Sequence, residues 1–331
     1  DRRQRQMCIR DSEGLFHAKC LGLKAVFTDH SLFGFADVGS ILTNKLLKFA
    51  LADVDHVVCV SHTGRENTVL RASLRPENVS TIPNAVDAQQ LFPDPTSHAI
   101  KDICVVVLSR LMYRKGIDLL LGAIPVLCER HSDIRFVIGG DGPKYVELEQ
   151  MRERYMLQDR VELVGAVRQR DIRTHLNRGQ LFLNTSLTEA FGTSIIEATC
   201  AGLYIVTTKV GGIPELLPSS MMRLAEPCVE SIVSEMSLAI EYLRTGQHDP
   251  HEQHYKVASM YSWSETTRRL ETVYARAMAS PNRSVTERFE RYMSIGGPIG
   301  GPIICLVVTA QMIIALALEW LIPEASIPRV P

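Results

Sequence analysis

Apolar residues in this chain fall into two series of short strand-like runs separated by amphipathic stretches. The first series reads AVFTDHS, ILTNKLLKFAL, HVVCVS, a polar stretch from Thr63 to Arg71, and VSTIPNAVD. Short apolar runs alternating with helical periods predict βα units and a parallel sheet covered by helices. AQQLFPDPTSHAIKD, with two prolines and little periodicity, predicts a linker over residues 88–102. The second series has five strand-like runs, CVVVLSRL, IRFVIGG, VELVGAV, LFLNTS and YIVTTKV, separated by helical patterns such as KGIDLLLGAIPVLCERH and DIRTHLNRG. Five such pairs make a complete doubly wound domain, expected over 103–262. The first series, over 13–87, offers two or three strands and reads as the remnant of a similar domain.

Both ends break this pattern. DRRQRQMCIRD is a basic opening without apolar period or signal-peptide core, so residues 1–12 are expected to stand outside the fold and the true start to lie upstream. Residues 292–318 contain no charged side chain, and Pro302 to Leu318 is nearly all apolar. Extended slightly, that run matches the roughly 20 residues that cross a bilayer. Proline fits a first helical turn, so a membrane helix is expected over 298–322, with a juxtamembrane stretch at 281–297 and a tail at 323–331. Arg283, Arg288 and Arg291 precede the segment and only Arg329 follows it, which predicts a cytosolic body.

Composition narrows the function. With 331 residues, 46% of them apolar, the chain can fill two cores. Its 36 Lys+Arg against 37 Asp+Glu give no basic field for a nucleic-acid backbone. Eight cysteines without a CxxC pair, two of them in the runs VVCV and ICVVVL, read as reduced core residues.

Chemistry concentrates where strands pass into helices, the edge at which open α/β sheets bind ligands. SLTEAFGTSIIEA carries Glu189 and Glu197 around a helix start expected near Phe191-Gly192-Thr193. Eight helical positions span up to about 12 Å, wider than the roughly 5 to 9.5 Å between paired glycosidase acids. The spacing suits a long ligand with hydroxyls at both ends and a diphosphate between them, as in a nucleotide-sugar; two unrelated surface glutamates explain it equally well. LSRLMYRKG offers Arg110 and Lys115 as cations able to neutralise a leaving diphosphate, or as plain solvated charges. IGGDGPK places Gly140 and Gly142 where a base or ribose could approach the backbone, although a structural turn accounts for them nearly as well.

Together, TEAFGTSIIEA, SRLMYRKGIDLL, GGDGPK, VGGIPE and IPNAVD resemble the retaining glycosyltransferases of family four, whose fingerprint includes Glu-x7-Glu. TDHSLFGFADVGSILTNKLL and FLNTSLTEAF, with the apolar C-terminal segment, narrow the resemblance to the membrane-anchored transferases that begin GPI-anchor synthesis. It covers about Glu13 to Pro323. The resemblance implies an α/β GT-B fold of two Rossmann-like domains, the first one truncated here, with one C-terminal transmembrane helix and a closing helix at 263–280. It implies transfer of N-acetylglucosamine from UDP-GlcNAc to phosphatidylinositol on the cytosolic face of the endoplasmic reticulum, beside other membrane subunits, with no cofactor or metal. Arg110 and Lys115 would hold the diphosphate, Glu189 the donor-sugar hydroxyls and Glu197 the ribose. Backbone amides at Phe191, Gly192 and Thr193 would add phosphate contacts, Gly140 and Gly142 would line the donor site, and His30 would face the reacting sugar. The glycine-rich βα unit that opens the family is missing before Glu13. The competing expectations are therefore a membrane-anchored nucleotide-sugar-binding or regulatory subunit without turnover, and a related lipid glycosyltransferase using another sugar.

Other features are expected to be structural. Asp53-Val-Asp55 spells the metal motif of a different transferase fold but sits between a helix and a strand. His248, His251 and His254 are expected on a solvated face, Trp263 in packing, and the sequons at Asn78, Asn184 and Asn282 unmodified in a cytosolic body.

Overall fold

The computed structural model describes residues 14–34, 38–94 and 102–321. The expectations for residues 1–12, for residues 95–101 of the 88–102 linker and for the 323–331 tail lie outside the described residues. The chain divides into two compact units, one comprising Asp1–Ile82 with Arg268–Pro331 and the other Pro83–Thr267.

In the first unit, helix α1 (residues 14–20) leads into β1 (Val26–Asp29), α2 (Val38–Leu51), β2 (His56–Cys59), α3 (His62–Ala72) and β3 (Val79–Thr81). The strands form a parallel sheet in the order β1-β2-β3. All four residues of β2 are buried, as a continuous apolar run covered on both faces should be. Leu51, Val54, Val57, Cys59, Ala72 and Val79 form the core, and burial lifts the Cys59 thiol to about 11, that of an inert packing residue. Ser61 caps α3 by accepting from the Gly64 amide at 3.0 Å. Behind β1, Asp29 accepts from Arg71 at 2.6 Å and Thr68 at 2.8 Å.

The C-terminal elements of this unit pack on the same sheet. Leu270 and Val273 of α10 (Trp263–Ala279) meet Val26, Val58 and Ile82. Helix α11 (Val285–Leu321) is two helical segments joined at Gly297, whose φ of 63° and ψ of −162° break the helix directly before Pro298, where the apolar helix was expected to begin. Gly301 closes on Met293 and Cys305 on Phe289, so the segments fold against each other. Val308 is fully buried with Ala52 and Tyr292, while Ile303, Leu306, Ile313, Leu316 and Leu318 are exposed. Among the described residues this is the one helix long and apolar enough to cross a membrane.

The Asp-Val-Asp motif is consumed by ion pairs at the root of this helix. Asp53 accepts from Arg288 Nε at 2.5 Å and Arg283 Nη1 at 3.2 Å, and Asp55 accepts from Lys19 at 2.8 Å.

The second unit contains β4 (Ile103–Leu108), α4 (Ile117–Arg130), β5 (Ile134–Gly139), α5 (Tyr145–Arg154), β6 (Val161–Gly165), α6 (Ile172–Leu176), β7 (Leu181–Asn184), α7 (Thr193–Cys200), β8 (Tyr204–Thr208), β9 (Met222–Ala225), α8 (Val229–Arg244) and α9 (Pro250–Met260). Its sheet has six parallel strands, not five, in the order β6-β5-β4-β7-β8-β9. The sixth, MRLA, is too short and too polar to show a strand pattern. Its Arg223 is held by Glu235 of α8 at 2.7 Å. In chain order this is the 3-2-1-4-5-6 arrangement of a doubly wound fold, with its topological switch between β4 and β7.

Two further expectations are corrected here. His248 and His254 do not share a solvated face: His248 Nε2 donates to the Gly202 carbonyl at 2.8 Å, and His254 Nδ1 lies 2.6 Å from the Cys200 carbonyl. Burial holds His248 below its ordinary pKa. Trp263, expected in packing, is 62% exposed. Asn184 is itself buried, its side chain accepting from the Ser186 amide at 2.9 Å.

Candidate active site

The switch point is built by two loops that hold each other. After β4, a short 3-10 turn over Tyr113–Lys115 ends at Gly116, which has φ 66° and starts α4. A Cβ on Gly116 would stand 1.8 Å from the Thr185 carbonyl oxygen, so only glycine lets the loops approach this closely. Thr185 Oγ1 donates to the Lys115 carbonyl at 3.0 Å, and the Leu187 amide donates to the Arg114 carbonyl at 3.0 Å. Lys115 Nζ consequently forms a hydrogen-bonded ion pair with Glu189 Oε2. Their side chains are 20% and 19% exposed, so the pair is largely shielded but reachable. Ser186 Oγ lies 3.4 Å from the same carboxylate oxygen, and the Gly212 amide donates to the Glu189 carbonyl at 3.0 Å. Glu189 is thereby fixed at both ends.

The same sheet edge carries a cleft of about 300 Å³ whose lining includes Arg110, Gly140, Ser194 and Glu197. Gly140, at φ 144°, closes β5 with its Cα so near β4 that a Cβ would meet the Ser109 carbonyl oxygen at 1.8 Å. The Leu111 amide donates to the Asp141 carbonyl at 2.9 Å, tying this loop to the one that carries Arg110. Gly142 packs on the Leu111 backbone in the same turn. Arg110 is exposed and has no ion-pair partner among the described residues. Glu197, in α7, is pushed above the ordinary glutamate range by burial, with Gln169 Nε2 opposing at 3.5 Å. A carboxylate with so little solvation and one long hydrogen bond is ready to accept from ligand hydroxyls.

Helix α7 begins immediately after Gly192, as expected, and its first amides lack intrahelical acceptors, which suits anionic oxygens. Thr193 is exposed at that end. The Phe191 side chain belongs to the core, edge-on to the Tyr261 ring with centroids 5.7 Å apart, so only its backbone is available to a ligand.

Arg110, Lys115, Gly140, Gly142, Glu189, Gly192, Thr193 and Glu197 thus all lie on the loops and helix ends at the carboxyl edge of one sheet. His30 belongs to the other unit, exposed directly after β1. Two contributors are not singled out by the sequence. Gln169 carries no motif and follows β6, so only its strand-end position could have marked it; Ser186 opens SLTEAFGTSIIEA, where only the glutamates stand out. Among the described residues no group of three His, Cys, Asp or Glu side chains is placed to hold a metal ion.

Residues 90–240 match the model of glycosyl transferases group 1, and residues 12–90 that of Glycosyltransferase Family 4. The phosphatidylinositol N-acetylglucosaminyltransferase gpi3 subunit of Schizosaccharomyces pombe is 48% identical over 315 residues, covering 95% of this chain and 69% of that protein. The corresponding phosphatidylinositol N-acetylglucosaminyltransferase chain of Homo sapiens is 49% identical over 95% of this chain and 65% of its own length; that of Arabidopsis thaliana is 48% identical over 96% and 71%. Among solved structures, Anabaena Alr3699/HepE in complex with UDP superposes with a TM-score of 0.71 at 19% identity, covering 81% of this chain and 76% of that one. The pneumococcal O-GlcNAc transferase GtfA in complex with UDP and GlcNAc gives 0.67 at 15% identity, covering 80% and 55%. At these identities the structural likeness is one of fold, the GT-B glycosyltransferase fold.

Proposed function

Because this chain belongs to the gpi3 family of phosphatidylinositol N-acetylglucosaminyltransferase subunits, we propose that it transfers N-acetylglucosamine from UDP-GlcNAc to phosphatidylinositol, the first step of GPI-anchor synthesis. The observation that carries this reading is the Lys115–Glu189 pair spanning the switch point, on the sheet edge that also carries a cleft lined by Arg110 and Glu197. Glu197 takes the ribose hydroxyls, Gly140 and Gly142 let the nucleoside lie against backbone, and the amides at Phe191, Gly192 and Thr193 meet phosphate. Glu189 holds the donor-sugar hydroxyls while Lys115 and Arg110 face the diphosphate.

In the reaction, the bond from the sugar's anomeric carbon to the β-phosphate oxygen breaks as an inositol oxygen bonds to the same face. The inositol proton passes to the leaving phosphate oxygen, giving UDP and the glycosylated lipid with configuration retained. Charge grows on that phosphate in the transition state, so fixed cations accelerate the step. This assigns to Arg110 and Lys115 the role a divalent metal plays elsewhere. The apolar segment from Pro298 anchors the protein in the endoplasmic reticulum membrane, with its body cytosolic and other membrane subunits beside it.

Microsomes carrying the protein, given UDP-[3H]GlcNAc and phosphatidylinositol, are expected to form labelled glycolipid at a rate unchanged by EDTA, and to form none from UDP-glucose. Donor binding without labelled lipid would overturn the transferase reading. Truncation of Glu197 to alanine is expected to raise the donor KM about tenfold or more with a smaller change in kcat, because ribose contacts serve ground and transition states alike. Glu197→Gln, still a hydrogen-bond acceptor, is expected to lose less; equal losses in the two variants would remove the ribose assignment.

A further inference from the structure

A second pocket, of about 340 Å³ and with both apolar and charged walls, lies in the first unit, away from the edge of the sheet that carries His30. His30 follows the last residue of β1, whereas the pocket is lined by Val54 and His56 at the beginning of β2 and by Asn78 just before β3. In a parallel sheet these are opposite edges. The outer wall comes from α11, through Glu290, Arg291 and Ser294, and Arg75 closes the rim.

Its charge is unbalanced. Arg291 is half-buried, and its Nη1 is shut off from solvent without a hydrogen-bond partner. Arg75 and Arg283 are its like-charged neighbours, and the counter-charge acting on it, Asp53, already accepts from Arg283 and Arg288. Glu290 is exposed and forms no ion pair among the described residues. His56, 2.8 Å from Ser80 Oγ, is held below its ordinary pKa by burial and by Arg276, so the positive charge at neutral pH comes from the two arginines. Two like-charged guanidinium groups on one pocket repel each other, and an oxyanion that accepts from both offsets that repulsion with strong charge-assisted bonds. Ser294 and Asn78 add neutral donors to the lining.

We propose that this pocket binds a phosphate group, as a mono- or diester, with Arg291 and Arg75 as its principal ligands, independently of the catalytic cleft. The phosphate can come from a lipid headgroup or from a soluble phosphate; Ser294 lies three residues before Gly297, where the apolar segment starts, which brings a bilayer surface within reach.

The full chain in detergent is titrated calorimetrically with inorganic phosphate and, separately, with dihexanoylphosphatidic acid, both under saturating UDP so that the catalytic cleft is occupied. Saturable binding is expected for at least one probe, weakened about tenfold, near 1.4 kcal/mol, by Arg291→Gln and by Arg75→Gln, and unaltered by Arg110→Gln. Binding of both probes marks a soluble phosphate as sufficient; binding of the lipid alone marks a headgroup site. Since Arg75 is exposed, its variant keeps the test valid should Arg291→Gln unfold. Absence of saturable binding, binding indifferent to both substitutions, or binding lost in Arg110→Gln would overturn the proposal.

Discussion

Replacement of Lys115 by alanine is expected to lower kcat by about 10²–10³-fold while changing donor KM much less. Removing one preorganised charge that meets a developing oxyanion typically costs about 2.7–4 kcal/mol of transition-state stabilisation. Here the loss is compounded, because Lys115 is the counter-ion of Glu189. Without the ammonium, a shielded carboxylate is left facing a diphosphate that is itself negative. The fold should survive, since the loops are joined through the Lys115 and Arg114 carbonyls, which alanine preserves. Lys115→Arg is expected to recover only part of the rate, because a planar guanidinium cannot occupy the point position of an ammonium. Arg110→Ala should cost less, its side chain being exposed and its charge already solvated. Steady-state kinetics on microsomes decides the matter: an unchanged kcat in Lys115→Ala removes the lysine from the reaction.

The second large effect concerns stability. Asp53→Ala is expected to destabilise the first unit by about 3–5 kcal/mol, the usual result of stripping one partner from a buried ion pair. Asp53 is 1% exposed and Arg288 6%, so the stranded guanidinium cannot reach water without moving α11. Thermal unfolding of the detergent-solubilised chain should fall markedly in Asp53→Ala and much less in the double variant Asp53→Leu, Arg288→Leu, which replaces both charges with apolar groups. A single variant as stable as the parent would show that the pair does not hold α11 to the sheet.

Much of this architecture is legible in the sequence because it rests on patterns of fixed period. Parallel strands buried on both faces must be continuous apolar runs, and HVVC, ICVVVL and LFLN announce themselves. The turn at Gly192 is equally visible, since a glycine set between a strand-like run and a helical period marks where the chain must reverse. Strand β9 is hidden because MRLA is an edge strand of four residues, one of them arginine, whose place is set by pairing with β8. His248 looks solvated among polar neighbours, and only the return of α9 to Gly202 encloses it. The same limit applies in the site. Glu189 and Lys115 are separately conspicuous, each with its own role, yet a separation of 74 positions along the chain conceals that they are partners. The fate of Asp53 and Asp55 is likewise decided by arginines and lysines far away in sequence, and no local signal distinguishes an ion-pair acceptor from a metal ligand.

The pairing of Lys115 with Glu189 also bears on how quickly the protein can begin a new cycle. An ammonium that had only phosphate to bind would retain UDP tightly after the sugar had gone. On the proposed assignment of Lys115 to the diphosphate, a carboxylate held alongside by Ser186 and the backbone at Gly212 would let the departing nucleotide surrender the cation to an internal competitor, easing product escape at the expense of tighter substrate capture.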